Sequence, residues 1–164
     1  MHDWQWSRFE DFTLQQLYTI LRLRQAVFVE EQDCAYQDAD GLDQLSWHLA
    51  AWKQGNGEAE LQAYLRVVDP GLKYAEPSIG RVLTAKAARG TGLGRKLMAR
   101  ALSLCEEQFG QCAIRISAQL YLADFYREFG FAQVSEPYDE DGIPHIEMLR
   151  PGKQVQTSTT HQRE

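Results

Sequence analysis

Arg89-Gly90-Thr91-Gly92-Leu93-Gly94-Arg95-Lys96 follows a short β-rich run, Ile79 to Thr84, and leads into a long segment of helical periodicity. Glycines permit positive φ and close backbone approach. The first N–H groups of a helix have no partner within it and carry partial positive charge. A glycine-rich turn feeding a helix is therefore a seat for a phosphate group. Arg95 and Lys96 fall in the first helical turn, where each cation is unfavourable by ~0.3–1 kcal/mol; an anionic ligand removes that conflict. The dinucleotide fingerprint G-x-G-x-x-G fails, because Arg95 stands at its third glycine. The P-loop fails too, since no Gly-Lys-Ser or Gly-Lys-Thr occurs. What remains is R-x-x-G-x-G on Arg89, Gly92 and Gly94. As a bare pattern it would also suit an ordinary tight turn; its placement between strand and helix points to phosphate binding.

The charge distribution agrees. The chain carries a net charge of −6, yet from Pro77 to Cys105 it has no Asp or Glu, while Arg81, Lys86, Arg89, Arg95, Lys96 and Arg100 fall inside that window. A cationic stretch in an acidic protein suits a local anionic ligand, or a basic solvated helix face. A globally basic nucleic-acid binder is excluded by the overall balance.

Regular elements must hold this turn in place. The pattern predicts a strand over Asp3 to Phe9. Thr13 then caps a helix with Leu14, Leu17, Leu21 and Phe28 on one face. An acidic loop follows from Cys34 to Asp43. LSWHLAAW and Leu61 to Val68 read as a hairpin around KQGNGE. Ile79 to Thr84 is a strand, and the helix from Leu93 to Phe109 stops at Gly110. Cys112 to Ser117 is a strand. Leu120 to Phe129 is a helix with Leu122, Phe125, Tyr126 and Phe129 inward, ended by Gly130. Phe131 to Val134 and Ile143 to Leu149 are strands around the acidic turn EPYDEDG. The unit from Ile79 to Ser117 implies two parallel strands and a crossover. The fold class is α/β: one mixed, mostly antiparallel sheet with helices on both faces, over residues 1–150. Residues 151–164, polar and without aromatics, read as a disordered tail.

With 164 residues, 44% of them hydrophobic, the chain has material for one core. No apolar run approaches the ~20 residues that span a bilayer. Three cysteines and no export signal fit a reducing cytoplasm. The acidic runs around Gly41 and Gly142 put Tyr36 or Pro137 at the first position of a calcium loop, and no zinc spacing occurs, so no metal is expected.

On these residues the chain resembles the GNAT acyltransferase superfamily. In that family an R/Q-x-x-G-x-G/A loop holds the pyrophosphate of acetyl-CoA, a role the resemblance assigns to Arg89, Gly90, Thr91, Gly92, Leu93, Gly94 and Arg95. The strand before it offers its backbone to the pantetheine arm, here at Val82, Leu83 and Thr84. A Tyr-x-x-x-Gly-Phe helix end often carries the general acid, matched by Tyr126, Gly130 and Phe131. The segments RQAVFVEEQDCAYQDADG and YDEDGIPHIEM are similar to the ElaA-like branch. Gln119 stands where many relatives have Asn, and Ala35 where the branch has Pro.

The resemblance implies acetyl transfer from acetyl-CoA, as co-substrate, to a primary amine of a small molecule or peptide. A phenol suits protonation of a departing thiolate, since tyrosine titrates near ~10 and thiols near ~8.5. The amine needs a base, with Glu31, His48 and His145 as open candidates. His48 in mid-strand and His145 near the last strand also read as satisfied structural histidines, and Glu31 as part of a solvated face. The acidic stretches Glu30 to Asp43 and Glu136 to Asp141 would attract a cationic amine by their field. Expected partners are thus the amine substrate, with no nucleic acid and no membrane, and a homodimer is left open. Two alternatives stand: an acyl-homoserine-lactone-synthase-like acyltransferase, suggested by Arg24-x-x-Val27-Phe28, and a non-catalytic CoA-binding domain.

Overall fold

Thr13 begins the first helix as its sequence demands. Its hydroxyl accepts from the Gln16 N–H at 3.1 Å, and the Gln16 side chain accepts from the Thr13 N–H at 3.0 Å. This reciprocal cap satisfies two otherwise open donors. In the computed structural model, which describes residues 1–153, α1 spans Leu14–Arg24 and continues as a π-helical segment over Gln25–Glu31. The inward face differs from the predicted one. Leu14 is 86% exposed, and Ile20, Arg24, Val27 and Phe28 are the buried positions. Hydrophobic periodicity cannot register an arginine that is buried because carboxylates elsewhere receive it.

The strands are β1 (Asp3–Arg8), β2 (Ser46–Gln54), β3 (Ala59–Val68), β4 (Ser78–Thr84), β5 (Ile114–Gln119), β6 (Ala132–Gln133), β7 (Tyr138–Glu140) and β8 (Ile143–Arg150). They form two antiparallel sheets, β1-β2-β3-β4 and β5-β8-β6, with β7 also paired to β8. The helices are α1, α2 (Leu93–Phe109) and α3 (Ala123–Arg127). The α/β class with mostly antiparallel strands holds. The implied parallel ladder does not form. The Arg115 N–H donates to the Pro77 carbonyl at 3.2 Å where β4 and β5 begin, and beyond that point the strands belong to different sheets.

One face of both sheets packs on α2. Leu49, Ala63, Leu65 and Val67 from the first sheet and Ile116, Ile146 and Met148 from the second meet Leu93, Leu97, Met98 and Ala101. Each fully buried Leu, Ile, Val or Met side chain there contributes about 1.5–3 kcal/mol. The other face of the first sheet, with Ala50, Trp52, Leu61, Tyr64 and Leu83, packs on Phe12, Ile20, Val27 and Phe28. That second cluster takes no residue from the second sheet. The α1-side face of β5 and β8 is therefore left polar, with Arg115, Ser117, Gln119, His145 and Glu147 on it.

β4 carries a bulge. Tyr64 pairs with Leu83 and Arg66 with Gly80, so Arg81 and Val82 together oppose the single Leu65. Arg81 adopts φ 52°, the left-handed region. A bulge bends its strand and leaves backbone groups outside the ladder. The tail expectation falls mostly on 154–164, outside the described residues. Before them, Gly152 lies tight against Gln111–Ala113, and Lys153 pairs with Glu106 at 3.2 Å.

Candidate active site

β4 ends at Thr84, and the chain turns through Lys86–Ala88 into the glycine loop. Thr91 closes the turn by donating its hydroxyl to the Ala88 carbonyl at 2.6 Å. Gly92, at φ 81°, is the N-cap of α2 and offers no side chain to the helix end. The first helical bond of α2 runs from the Lys96 N–H to the Gly92 carbonyl at 3.2 Å. The N–H groups of Leu93, Gly94 and Arg95 thus precede the first intrahelical donor, that of Lys96, and remain open. A Cβ on Gly94 would stand 3.6 Å from the Thr84 hydroxyl, so the helix start abuts the end of β4.

The loop's arginines are already partnered. Arg89 grips Glu31 through two bonds of 2.5 and 2.9 Å, and its Nε donates to the Thr84 carbonyl at 3.2 Å. Hydrogen bonding to Arg89 holds the Glu31 carboxyl below its usual range, against a smaller opposing effect of burial. Arg95 bridges to Glu128 at 3.1 and 3.2 Å. Both pairs are exposed, and exposed ion pairs exchange partners at little cost. Next to Glu31, Gln32 accepts a hydrogen bond from Gln119 at 3.1 Å. The end of the π-helical segment therefore ties the glycine loop to the end of β5.

Tyr126 lies on α3, 7% exposed, edge-on to Phe125 and Phe131 with centroid distances of 5.2 and 6.0 Å. Burial, aided by nearby Tyr121, pushes its phenol up to about 12. Its hydroxyl makes no hydrogen bond among the described residues. Tyr121 also acts electrostatically on Arg89.

The acidic loop is held inside the protein. Arg24 binds Asp38 at 2.8 Å and Asp43 at 2.7 Å; Arg66 binds Asp40 at 2.5 Å and Asp43 at 2.9 Å. Arg81 Nε lies 2.7 Å from Asp38, an ion pair whose N–H points off the hydrogen-bond line. Burial opposes the charge on Asp40, but the hydrogen bonds and charge of Arg66 outweigh it and hold the carboxyl well below its ordinary range. This corrects one expectation: Asp38, Asp40 and Asp43 are neutralised in place and are not a field for an incoming amine.

The three candidate bases separate. Glu31 belongs to the Arg89 clamp. His48 is buried, with Nδ1 2.6 Å from the Tyr64 hydroxyl and Nε2 2.8 Å from the Asp43 carbonyl. Both ring nitrogens are used, so it offers nothing to an acceptor. Burial is the main influence lowering its pKa, to about 4. His145 stands on the polar face of the second sheet, 3.1 Å from Glu140.

A family model described as an acetyltransferase (GNAT) domain matches residues 56–150. The protein ElaA of Escherichia coli is 41% identical over 152 residues, covering 92% of this chain and 97% of that protein. The chain belongs to the GNAT acetyltransferase family. It falls in the ElaA-like branch, for the crystal structure of Escherichia coli ElaA superposes with a TM-score of 0.83 over 92% of this chain and 99% of that one. An acyl-CoA N-acyltransferase from Pseudomonas aeruginosa is 45% identical, with a TM-score of 0.85 over 92% of this chain and 99% of its own. The protein is accordingly an acyltransferase, and its donor is an acyl-CoA. A CoA-dependent acyl-homoserine lactone synthase superposes with a TM-score of 0.74 at 16% identity and covers 94% of this chain and 85% of its own; that likeness shows the fold alone.

Within this GNAT frame, Arg89 and Gly94 meet Thr84, and Arg95 lies over the Phe125 ring at 6.0 Å, which packs edge-on to Tyr126. Sequence reasoning missed Gln32, Tyr121 and the strand β7 with Tyr138 and Glu140. The signal for β7 was present in Asp141-Gly142, a hairpin dipeptide.

Proposed function

We propose that the protein transfers an acetyl group from acetyl-CoA to a primary amine by direct attack, with Tyr126 as general acid. One observation carries this reading: open donors at Leu93–Arg95 abut the end of a bulged β4. The donors receive the pyrophosphate, with Arg89 as its side-chain contact. The backbone of Val82, Leu83 and Thr84 receives the pantetheine arm, and a free N–H near the bulge polarises the thioester carbonyl.

The amine must first lose a proton, since a primary ammonium titrates near ~10.4. Nitrogen then attacks the carbonyl carbon, the C–N bond forms and the C–S bond breaks. The departing thiolate takes the phenolic proton of Tyr126, and the second amine proton restores the phenol. Tyr126 suits the task because burial keeps it protonated and its hydroxyl is not otherwise engaged. Free Cys34, Cys105 and Cys112 fit a reducing cytoplasm as the working compartment.

The test is calorimetry with CoA followed by thiol release over a panel of amines. Saturable binding and release with acetyl-CoA support the reading. No heat with CoA sinks it. Faster release from octanoyl-CoA favours the long-chain alternative, and binding without release under any amine favours a non-catalytic domain.

A further inference from the structure

The uncovered face of the second sheet carries a connected set of side chains that the phosphate seat does not use. Glu140 is the last residue of β7, before the turn Asp141-Gly142 with φ of 52° and 81°. Two positive-φ residues in succession are what a tight type I′ hairpin requires. Across the hairpin Tyr138 pairs with His145 and Glu140 with Ile143. The His145 ring stacks on Tyr138 at 6.2 Å. His145 Nδ1 is 2.7 Å from the Ile143 carbonyl and must donate to it. Its Nε2 faces Glu140 Oε2 at 3.1 Å, a contact that is a hydrogen bond only with a proton between the two atoms. Ser117 Oγ approaches the same oxygen at 3.4 Å and lies 2.5 Å from the Tyr138 hydroxyl. Ser117 donates to the carboxylate, so Tyr138 donates to Ser117.

These groups converge on one oxygen of Glu140. The other, Oε1, has no partner among the described residues, and the side chain is 46% exposed. The other charges around it are Lys73, which feels Glu140, and Arg115, which is shared between Glu147 and Glu76. The hairpin is docked toward the glycine loop. Cys34 donates to the Asp141 carbonyl at 3.4 Å, and His145 stands opposite Gln119, which holds Gln32 beside the Glu31–Arg89 clamp.

We infer that Glu140 receives the acceptor amine. Its free oxygen binds the ammonium form and takes the proton that must leave before the nitrogen attacks. His145 and Ser117 are positioning residues that fix the carboxylate. The inference rests on the acyl-transfer reading and sets the acceptor class: a cationic amine without a carboxylate near the reacting nitrogen, because the half-exposed Glu140 carboxylate repels a second anion beside it.

The probe is 1,4-diaminobutane, with glutamate as its anionic counterpart. Amide chemical shifts are followed in the CoA-saturated wild type and in Glu140→Gln and Ser117→Ala, alongside thiol release. The diamine moves the amides of Glu140, Gly142 and His145, and glutamate does not. Glu140→Gln weakens the diamine about tenfold, the loss of one ion pair, and lowers kcat about 100-fold. Ser117→Ala raises KM about threefold, a small loss of positioning with little change in kcat. The CoA affinity of both variants stays at the wild-type value. Hairpin amides unmoved by the diamine, equal binding of glutamate, or unaltered kinetics in Glu140→Gln each overturn the inference. Failure of the wild type to bind CoA is instead a failure of the acyl-transfer reading. It is seen before any amine is added, and the diamine can still be titrated against the protein alone.

Discussion

Arg89 and Glu31, from the glycine loop and from the end of the π-helical segment, meet through a bidentate pair beside the proposed phosphate seat. In the proposed complex the ligand phosphate takes Arg89 from Glu31. Removing the carboxylate therefore leaves the guanidinium free for the ligand. Glu31→Gln is expected to tighten CoA binding two- to fivefold, about what an exposed pair is worth. Arg89→Gln is expected to weaken it about tenfold and to flatten its salt dependence. Calorimetry at two ionic strengths reads both; looser binding in Glu31→Gln would show that the carboxylate orients Arg89 instead of competing for it.

The two glycines at the start of α2 differ in what they tolerate. Gly92 sits at φ 81°, where a side chain costs roughly 1–2 kcal/mol. Gly94 has ordinary φ, and its added methyl would make only a van der Waals contact with Thr84. Gly94→Ala should keep its melting temperature and most of its CoA affinity. Gly92→Ala should lose several degrees and bind CoA more weakly. Equal behaviour of the two variants would contradict this.

Tyr126→Phe retains the buried ring and removes only the hydroxyl. CoA affinity should stay within twofold and kcat should fall about 100-fold, as for a lost general acid. With its phenol raised to about 12, Tyr126 keeps its proton throughout the usual assay range. Any fall in rate below that pH must come from another group. Wild-type turnover by Tyr126→Phe removes it from the role.

His48 makes folding sensitive to mild acid. Its pKa is about 4 in the folded protein, lowered chiefly by burial, and near ~6.5 in an unfolded chain. Between those values the unfolded state binds more protons, so stability falls as pH drops through that window, by up to roughly 3 kcal/mol. Asp40 and Asp43 act lower. Their folded values are depressed, so their contribution is full above about 3.9 and is lost only below it. Urea melts from mild acid to neutrality should show the histidine slope, and His48→Gln should flatten it.

Much of the fold was legible because local signals agreed with tertiary demands. The α2 helix is apolar on one face and bounded by Gly92 and Gly110, and Thr13 announces α1. The turn into α2 was legible for the same reason, since the positive φ of Gly90 and Gly92 is written in glycine. The rest depended on partners distant in sequence. Arg24 looks like a surface residue until Asp38 and Asp43 are folded against it. The short β7 lies within a run of acids and Pro137, where strand propensity is poor, and only Asp141-Gly142 betrays it. Nothing local reveals that β4 and β5 part after one shared bond, because divergence of two strands is settled by what packs between and beside them.

The boundary between the matched span and the rest of the chain carries a consequence for truncation. Arg66 and Arg81 lie within residues 56–150, whereas Asp38, Asp40 and Asp43, which neutralise them, lie ahead of that span. An excised carboxy-terminal piece would lose these counter-ions together with β1, β2 and the residues that cover the second face of the first sheet. The amino-terminal third is thus an obligate part of the folding unit, and deletion variants confined to residues 56–150 should yield aggregates.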